Sequence, residues 1–220
     1  MSSCHQCEGI QEQFGAETAA KEIRRFRKTG AVRSTQLLIE HLEASGVSGL
    51  TLLDVGGGIG AIHHALLERG VTTATHVDAS PDYLAVARDE AERRRHADRV
   101  RFVQGDFVEI AGTIPAADIV TLDRVICCYP DMETLAARAG DHAYRLVGIV
   151  IPRDVWWMRA AVKAVNAVKR LQRSAFRVYV HDPHRIDAAL RALDLTAERH
   201  ARTLAWDIVI YRRSNGREAV

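Results

Sequence analysis

Cysteine is scarce in this chain, with four in 220 residues. That is far below the density of a disulfide-stapled scaffold, so reduced thiols are expected. Cys4 and Cys7 form a lone CxxC near the start, where a zinc site would need two further ligands. The remaining cysteines are the adjacent pair Cys127 and Cys128, so no metal site is expected. Long apolar runs are also missing. Nothing approaches the roughly 18 to 20 uncharged residues that span a bilayer, and the opening residues lack the basic-then-apolar order of a secretory signal. A cytoplasmic protein is expected. A surplus of one charge is lacking too: 30 Lys+Arg stand against 28 Asp+Glu, a net +2, so the overall field points to no nucleic-acid partner. No internal repeat or low-complexity tract appears.

What is present is ordinary globular material, 47% hydrophobic and 26% charged, in a length that suits one well-cored domain. Residues 11–45 read as two helices parted at Gly30, with apolar positions at three- and four-residue spacing. Short apolar runs at 50–55, 73–77, 100–103, 118–122 and 146–151 read as buried strands, with helices after the first two, the second at 81–95. Ser80 followed by Pro81 is a helix start, because proline at the first helical position gives up no needed donor. Strands apolar on both faces and alternating with helices indicate an α/β fold with a doubly wound, mostly parallel sheet. Beyond residue 151 come a long helix at 154–172, an apolar stretch at 176–180, a helix at 183–193 and two β segments at 195–200 and 204–212. The last two suggest a C-terminal antiparallel strand pair at one end of the sheet.

Ligands of open α/β sheets bind outside the carboxyl ends of the strands. Four aspartates fall at such ends: Asp54, Asp78, Asp106 and Asp123. Each alone could be a turn residue or helix cap. Together they crowd negative charge onto one edge, which a ligand bearing hydroxyls, amines or positive charge would offset. Among them lies Asp54-Val-Gly56-Gly-Gly58-Ile-Gly60, whose glycines permit positive φ and close approach of a ligand to the main chain. The same letters fit the dinucleotide pattern GxGxxA through Gly56, Gly58 and Ala61, with Asp78 near the ribose position, so the glycines alone do not choose the cofactor. Asp54 favours an ammonium over a pyrophosphate. Gly105-Asp106-Phe107 adds a carboxylate acceptor for an adenine amine and an aromatic face for the ring.

With these residues the chain resembles the class I S-adenosylmethionine-dependent methyltransferases, motif by motif from about residue 50 to 151. The resemblance implies a Rossmann-like α/β/α sandwich with S-adenosylmethionine as cofactor. It implies that Asp54, Gly56, Gly58 and Gly60 hold the methionine end, that Asp78 takes both ribose hydroxyls, and that Ala79 and Ser80 pack beside the adenosine. Asp106 would accept from the adenine amine and Phe107 would lie against the ring. Asp123 and the stretch after it would border the place where methyl donor meets acceptor. A DPPY-type tetrapeptide, associated with methylation of nucleic-acid bases, is missing. So is the Asp-Asn pair that helps hold magnesium in catechol-type enzymes, since Arg124 follows Asp123. The expectation is metal-independent O- or C-methylation of a small, apolar or acidic acceptor.

Asp123 and Tyr129 are the candidates for taking the acceptor's proton. His63, His64 and His142 read as surface or packing residues. From 153 to 177 seven basic residues stand against Asp154, a local +6, interleaved with Trp156, Trp157 and further apolar side chains at helical spacing. A helix docked on the domain accounts for such a pattern. The functional alternatives are a lid at 153–181 over the acceptor site, with Trp156 and Trp157 as pocket walls, or a peripheral helix at 153–177 touching anionic lipid. Residues 1–48 read as an N-terminal helical extension that closes over the cofactor or completes the pocket, and residues 49–220 as the S-adenosylmethionine-binding domain. The rival readings are an NAD(P)-dependent oxidoreductase using GxGxxA and a catalytically silent S-adenosylmethionine-binding protein.

Overall fold

The computed structural model describes residues 9–10 and 12–214; Cys4 and Cys7 lie outside them. Two helices, α1 (Ala16–Thr29) and α2 (Arg33–Ala44), lead into an alternation of strands and helices. It runs β1 (Thr51–Val55), α3 (Ala61–Glu68), β2 (Thr73–Asp78), α4 (Pro81–Arg94), β3 (Val100–Gln104), a short α5 (Phe107–Ile110), β4 (Ala117–Asp123), α6 (Met132–Asp141) and β5 (Ala143–Pro152). The chain closes with α7 (Trp156–Leu171), α8 (Pro183–Arg191), β6 (Leu195–Arg202) and β7 (Trp206–Arg213).

The seven strands form one sheet in the order β3-β2-β1-β4-β5-β7-β6. β1 to β5 are mutually parallel, and β7 runs antiparallel between β5 and β6. The doubly wound sheet and C-terminal antiparallel pair expected from the sequence are present. Strand order reverses between β1 and β4, so the crevice for a ligand opens at the carboxyl ends of those strands.

Both faces of the sheet are covered. On one, Leu53, Val120, Leu122 and Val147 pack with Leu135 and Ala136 of α6 and with Ile186 and Leu190 of α8. On the other, Leu52, Ile119 and Val150 pack with Leu38 and Leu42 of α2 and with Ile62 and Leu66 of α3. Ser80 caps α4 by accepting from the Tyr83 amide at 3.2 Å, with Pro81 at the first helical position. Asp131 and Asp182 start α6 and α8 in the same way.

Some expectations need adjustment. β5 extends to both sides of 146–151, because it is paired along its length by β4 and β7. Helix α6 carries few bulky apolar residues, and its Gly140 leaves room for Leu193, whose Cδ1 would lie 2.7 Å from a Cβ there. The stretch 176–180 has no regular secondary structure. Helix α7 buries none of its residues, and Trp156 is 81% and Leu171 86% exposed. Among the described residues no helix is long and apolar enough to cross a membrane.

Candidate functional site

The turn after β1 is shaped by its glycines. Gly56, Gly58 and Gly60 have φ of 61°, 56° and 84°, a region that side-chain-bearing residues adopt only with strain. At Gly56 a Cβ would also fall 2.5 Å from Val125 Cγ2. At Gly58 a Cβ would meet only Tyr83, at 3.5 Å, so positive φ rather than crowding demands glycine there. The Gly56 amide donates to Val77 O at 2.7 Å and the Gly58 amide to Asp78 Oδ2 at 2.9 Å, which ties the turn to β2.

Asp78 ends β2 with both oxygens engaged, since the Ser80 amide donates to Oδ1 at 2.8 Å. Burial nevertheless pushes its carboxyl up to about 6, against the pull of the Ser80 and Gly58 amides and with a further push from Asp54. Asp106 caps α5 by accepting from the Val108 amide at 2.9 Å, and its Oδ2 accepts from the Tyr129 hydroxyl at 3.1 Å. Asp123 ends β4, where Oδ2 accepts from Thr35 Oγ1 at 2.5 Å and Oδ1 lies 3.3 Å from Arg124 Nε. Arg124 itself has φ 62°. Asp54 is almost fully buried in β1, and its Oδ1 accepts from Thr121 Oγ1 at 2.8 Å. Burial raises its pKa, opposed by the neighbouring His76 and by the Thr121 hydrogen bond.

These groups surround one cavity of about 400 Å³. Asp54, Gly56, Gly58, Asp78, Ala79, Asp106, Phe107, Asp123 and Tyr129 all line it. Gly60 and Ser80 are not on its wall. Gly60 precedes the first residue of α3, and buried Ser80 donates its hydroxyl to Phe14 O at 2.6 Å. Phe107 reaches the cavity margin, but its ring is mostly buried, with an edge contact 5.3 Å from His142. Neither Trp156 nor Trp157 lines the cavity; from that part of the chain Phe176 and Val178 do.

The sequence pointed to the segments that cover the site but not to the residues that do so. Phe14 and α1 residues Glu22 and Phe26 complete the wall with Phe176. Phe14 makes edge contacts with Tyr83 and Phe176 at 5.8 and 5.6 Å between ring centroids. The Tyr83 hydroxyl donates to Glu22 Oε2 at 2.7 Å. Residues so far apart in the chain meet only through the fold, although the clustering of Phe14, Glu22 and Phe26 on one amphipathic segment was a usable signal. His142 is a structural residue, with ring nitrogens 2.8 and 2.9 Å from Arg138 O and Ala111 O. His63 and His64 are fully buried beneath the glycine turn, beside His76. Burial lowers His63 and His76 to about 3, so both rings are neutral at ordinary pH.

A mostly parallel sheet with a glycine turn and acidic strand ends around a crevice at its switch point defines a Rossmann-like nucleoside-binding fold. Residues 52–147 match the family model described as a methyltransferase domain. The chain is 31% identical over 142 residues to the release factor glutamine methyltransferase of Chlorobaculum tepidum, covering 54% of this chain and 48% of that protein. It is 32% identical over 105 residues to the 3-amino-4-hydroxybenzoate 4-O-methyltransferase of Streptomyces cremeus, covering 47% of this chain and 28% of that one. The chain thus spans about half or less of the curated relatives it matches. Among solved structures, magnesium protoporphyrin IX methyltransferase from Synechocystis with bound SAM superposes with a TM-score of 0.71 at 17% identity, over 97% of this chain and 100% of that one. The 1,6-didemethyltoxoflavin-N1-methyltransferase of Burkholderia thailandensis superposes with a TM-score of 0.62 at 18% identity, over 93% and 91%. The sequence match is thus to a methyltransferase domain over residues 52–147, and the superpositions show that the fold is shared.

Proposed function

We propose that the protein transfers a methyl group from S-adenosylmethionine to a small, apolar or acidic acceptor, by metal-independent O- or C-methylation. One observation carries this reading: a single cavity joins the positive-φ glycine turn to Asp78, Asp106 and Asp123 under a roof of Phe14, Phe26 and Phe176. Its volume of about 400 Å³ is in the range of small-molecule sites.

The residues fit the cofactor. Gly56 and Gly58 present main chain without side chains in the way, Asp78 offers acceptors for ribose hydroxyls, and Asp106 offers one for an adenine amine. Asp54 adds negative charge below the turn, toward the methionine end. Bound there, S-adenosylmethionine supplies an activated methyl carbon on a sulfonium. The protein's task is alignment and exclusion of water. The aromatic roof excludes water. Asp123, held by Thr35, borders the acceptor side, where it can orient a nucleophile or take its proton. Tyr129 donates to Asp106 and is thereby committed to the adenine side first. Arg25 and Arg124 lie on the cavity wall as well and favour an acceptor bearing a carboxylate. The helical segment 1–48 and the strip 153–181 contribute the roof through Phe14, Phe26 and Phe176.

Calorimetry with S-adenosylhomocysteine and with NADH tests the cofactor. Binding of the first only is expected; binding of NADH across the glycines, with no response to the adenosyl compound, overturns the reading. Transfer is then assayed as S-adenosylhomocysteine release against a panel of small phenolic, enolic and carboxylated acceptors. Full occupancy without turnover on any of them would leave a binding protein in place of the enzyme.

A further inference from the structure

Beneath the glycine turn the strand register makes a second cluster, which shares only Asp54 with the proposed cofactor site. Asp54 of β1 is paired with His76 of β2 on one side and with Thr121 of β4 on the other. Register partners in a parallel sheet project to the same face, so the carboxylate and imidazole stand side by side. α3 crosses that face and adds His63. The side chains of Asp54, His63 and His76 are at most 1% exposed. His63 Nδ1 is 3.1 Å from His76 Nδ1 and 3.5 Å from Asp54 Oδ2, and one ligand atom from each of the three residues lies within 4.8 Å of the others.

We propose that Asp54, His63 and His76 form a buried site for a divalent transition-metal ion of the zinc type, built into the floor of the glycine turn. Ligand atoms 2.0 to 2.2 Å from a tetrahedral ion stand about 3.3 to 3.6 Å apart, which brackets one of the observed separations and nearly meets the other. Two imidazoles and a carboxylate are a donor set suited to zinc, cobalt or iron, and three protein ligands leave a fourth position for water.

The imidazole pair leaves Asp54 Oδ2 without a side-chain donor, so the carboxylate relies on Thr121 Oγ1 and the His63 backbone amide, weak compensation for a buried charge. One cation engages both Nδ1 atoms and Oδ2 together. Ligation through both Nδ1 atoms puts a proton on each Nε2, for which the described residues supply no acceptor, a cost the bound ion must offset. Thr121 Oγ1 donates to Asp54 Oδ1, the outer-shell contact that fixes a ligating carboxylate and leaves its second oxygen free. Gly57 closes over the site. A Cβ there would fall 2.6 Å from His76 Nδ1 and 2.9 Å from Asp54 Oδ2, so a side chain at 57 would intrude on two ligands. The ion would be structural, a fixed point under the turn, and the methyl transfer above it remains metal-free.

The test uses the full chain, freed of any affinity tag, stripped with chelator and titrated with Co(II), then back-titrated with Zn(II). The expected result is one tightly held Co(II) per chain with the intense visible absorption of a four-coordinate ion. It should show no thiolate-to-cobalt band in the near ultraviolet and should be displaced by one equivalent of Zn(II). The His63→Gln/His76→Gln variant should lose that ion while keeping a cooperative melt. Should that variant not fold, X-ray absorption on the zinc-loaded wild type decides: imidazole and oxygen scattering with no sulfur shell supports the site. A sulfur shell would place the metal on cysteine and overturn the proposal. So would failure to retain Co(II), a weak octahedral spectrum, or undiminished binding by the folded double variant. None of these readouts involves the methyl donor, so they stand apart from the proposed activity.

Discussion

Acidification of the medium should weaken cofactor binding through Asp78. In the ligand-free protein its carboxyl is raised to about 6 by burial, and the ribose hydroxyls need it ionised as an acceptor. At pH 8 nearly every molecule presents the carboxylate, whereas at pH 5 about one in eleven does, since each pH unit below the pKa lowers the ionised fraction tenfold. Apparent affinity for S-adenosylhomocysteine should therefore fall about tenfold from pH 8 to pH 5, equivalent to ~1.4 kcal/mol. Stability runs the opposite way. A carboxylate whose pKa is raised by folding from 3.8 to about 6 destabilises the ligand-free fold above pH 6 by about 3 kcal/mol, and that penalty vanishes below the unfolded value.

Asp78→Asn removes the penalty but leaves the Gly58 or the Ser80 amide without its acceptor, a loss of about 1 to 3 kcal/mol. The variant should thus melt within a few degrees of the wild type at pH 8 while losing nearly all affinity for S-adenosylhomocysteine. Calorimetry from pH 5 to 8 in buffers of different ionisation enthalpy reads both the affinity and the proton release. An affinity flat across that range, or the same profile in Asp78→Asn, would refute the reasoning.

Gly58→Ala should lower stability by about 1 to 2 kcal/mol, read by urea denaturation, because φ of 56° disfavours any Cβ by that amount; an unchanged midpoint would refute the strain. Tyr129→Phe removes the donor to Asp106 and should weaken cofactor binding about three- to tenfold with kcat and its pH profile unchanged; a collapse of kcat would instead make the phenol the proton acceptor. Glu90 is a buried carboxylate bonded to Arg93, Arg94 and Arg27. Burial pushes its pKa up, but those three guanidinium groups outweigh it and hold it well below the ordinary 4.5. Its stabilisation is complete above that ordinary value and fades as pH falls below it. Glu90→Gln should cost about 2 kcal/mol at pH 7 and markedly less at pH 3, read by urea denaturation.

The sheet and the glycine turn were legible because each rests on local chemistry: apolar five-residue runs, glycines where φ is positive, and serine and proline at a helix start. Four acidic strand ends could be named for the same reason, and all of them line the cavity. The histidines could not be placed so directly. His63 and His64 are adjacent, but His76 lies a dozen residues on, and only the pairing of Asp54 with His76 across β1 and β2 brings it beneath the same helix. The tryptophans misled, since amphipathic spacing in α7 says that one face differs from the other but not which face meets the domain. Phe14, Phe26 and Phe176 were missed as roof residues because their proximity depends on α1 and the irregular stretch around residue 176 meeting over the site. Helix α6 escaped notice because most of its buried stripe is small, with Ala136, Ala139 and Gly140 beside Met132 and Leu135, and so gives a weak apolar signal.

The strand made last, β7, sits inside the sheet rather than at its margin, and Arg213 at its end donates to Gly140 O and Ala143 O at 2.7 and 3.1 Å. During synthesis, β5 therefore emerges with one flank of main-chain groups unmatched, and they stay so until some sixty further residues have left the ribosome. Until then the nascent chain presents a sticky ribbon that invites intermolecular pairing.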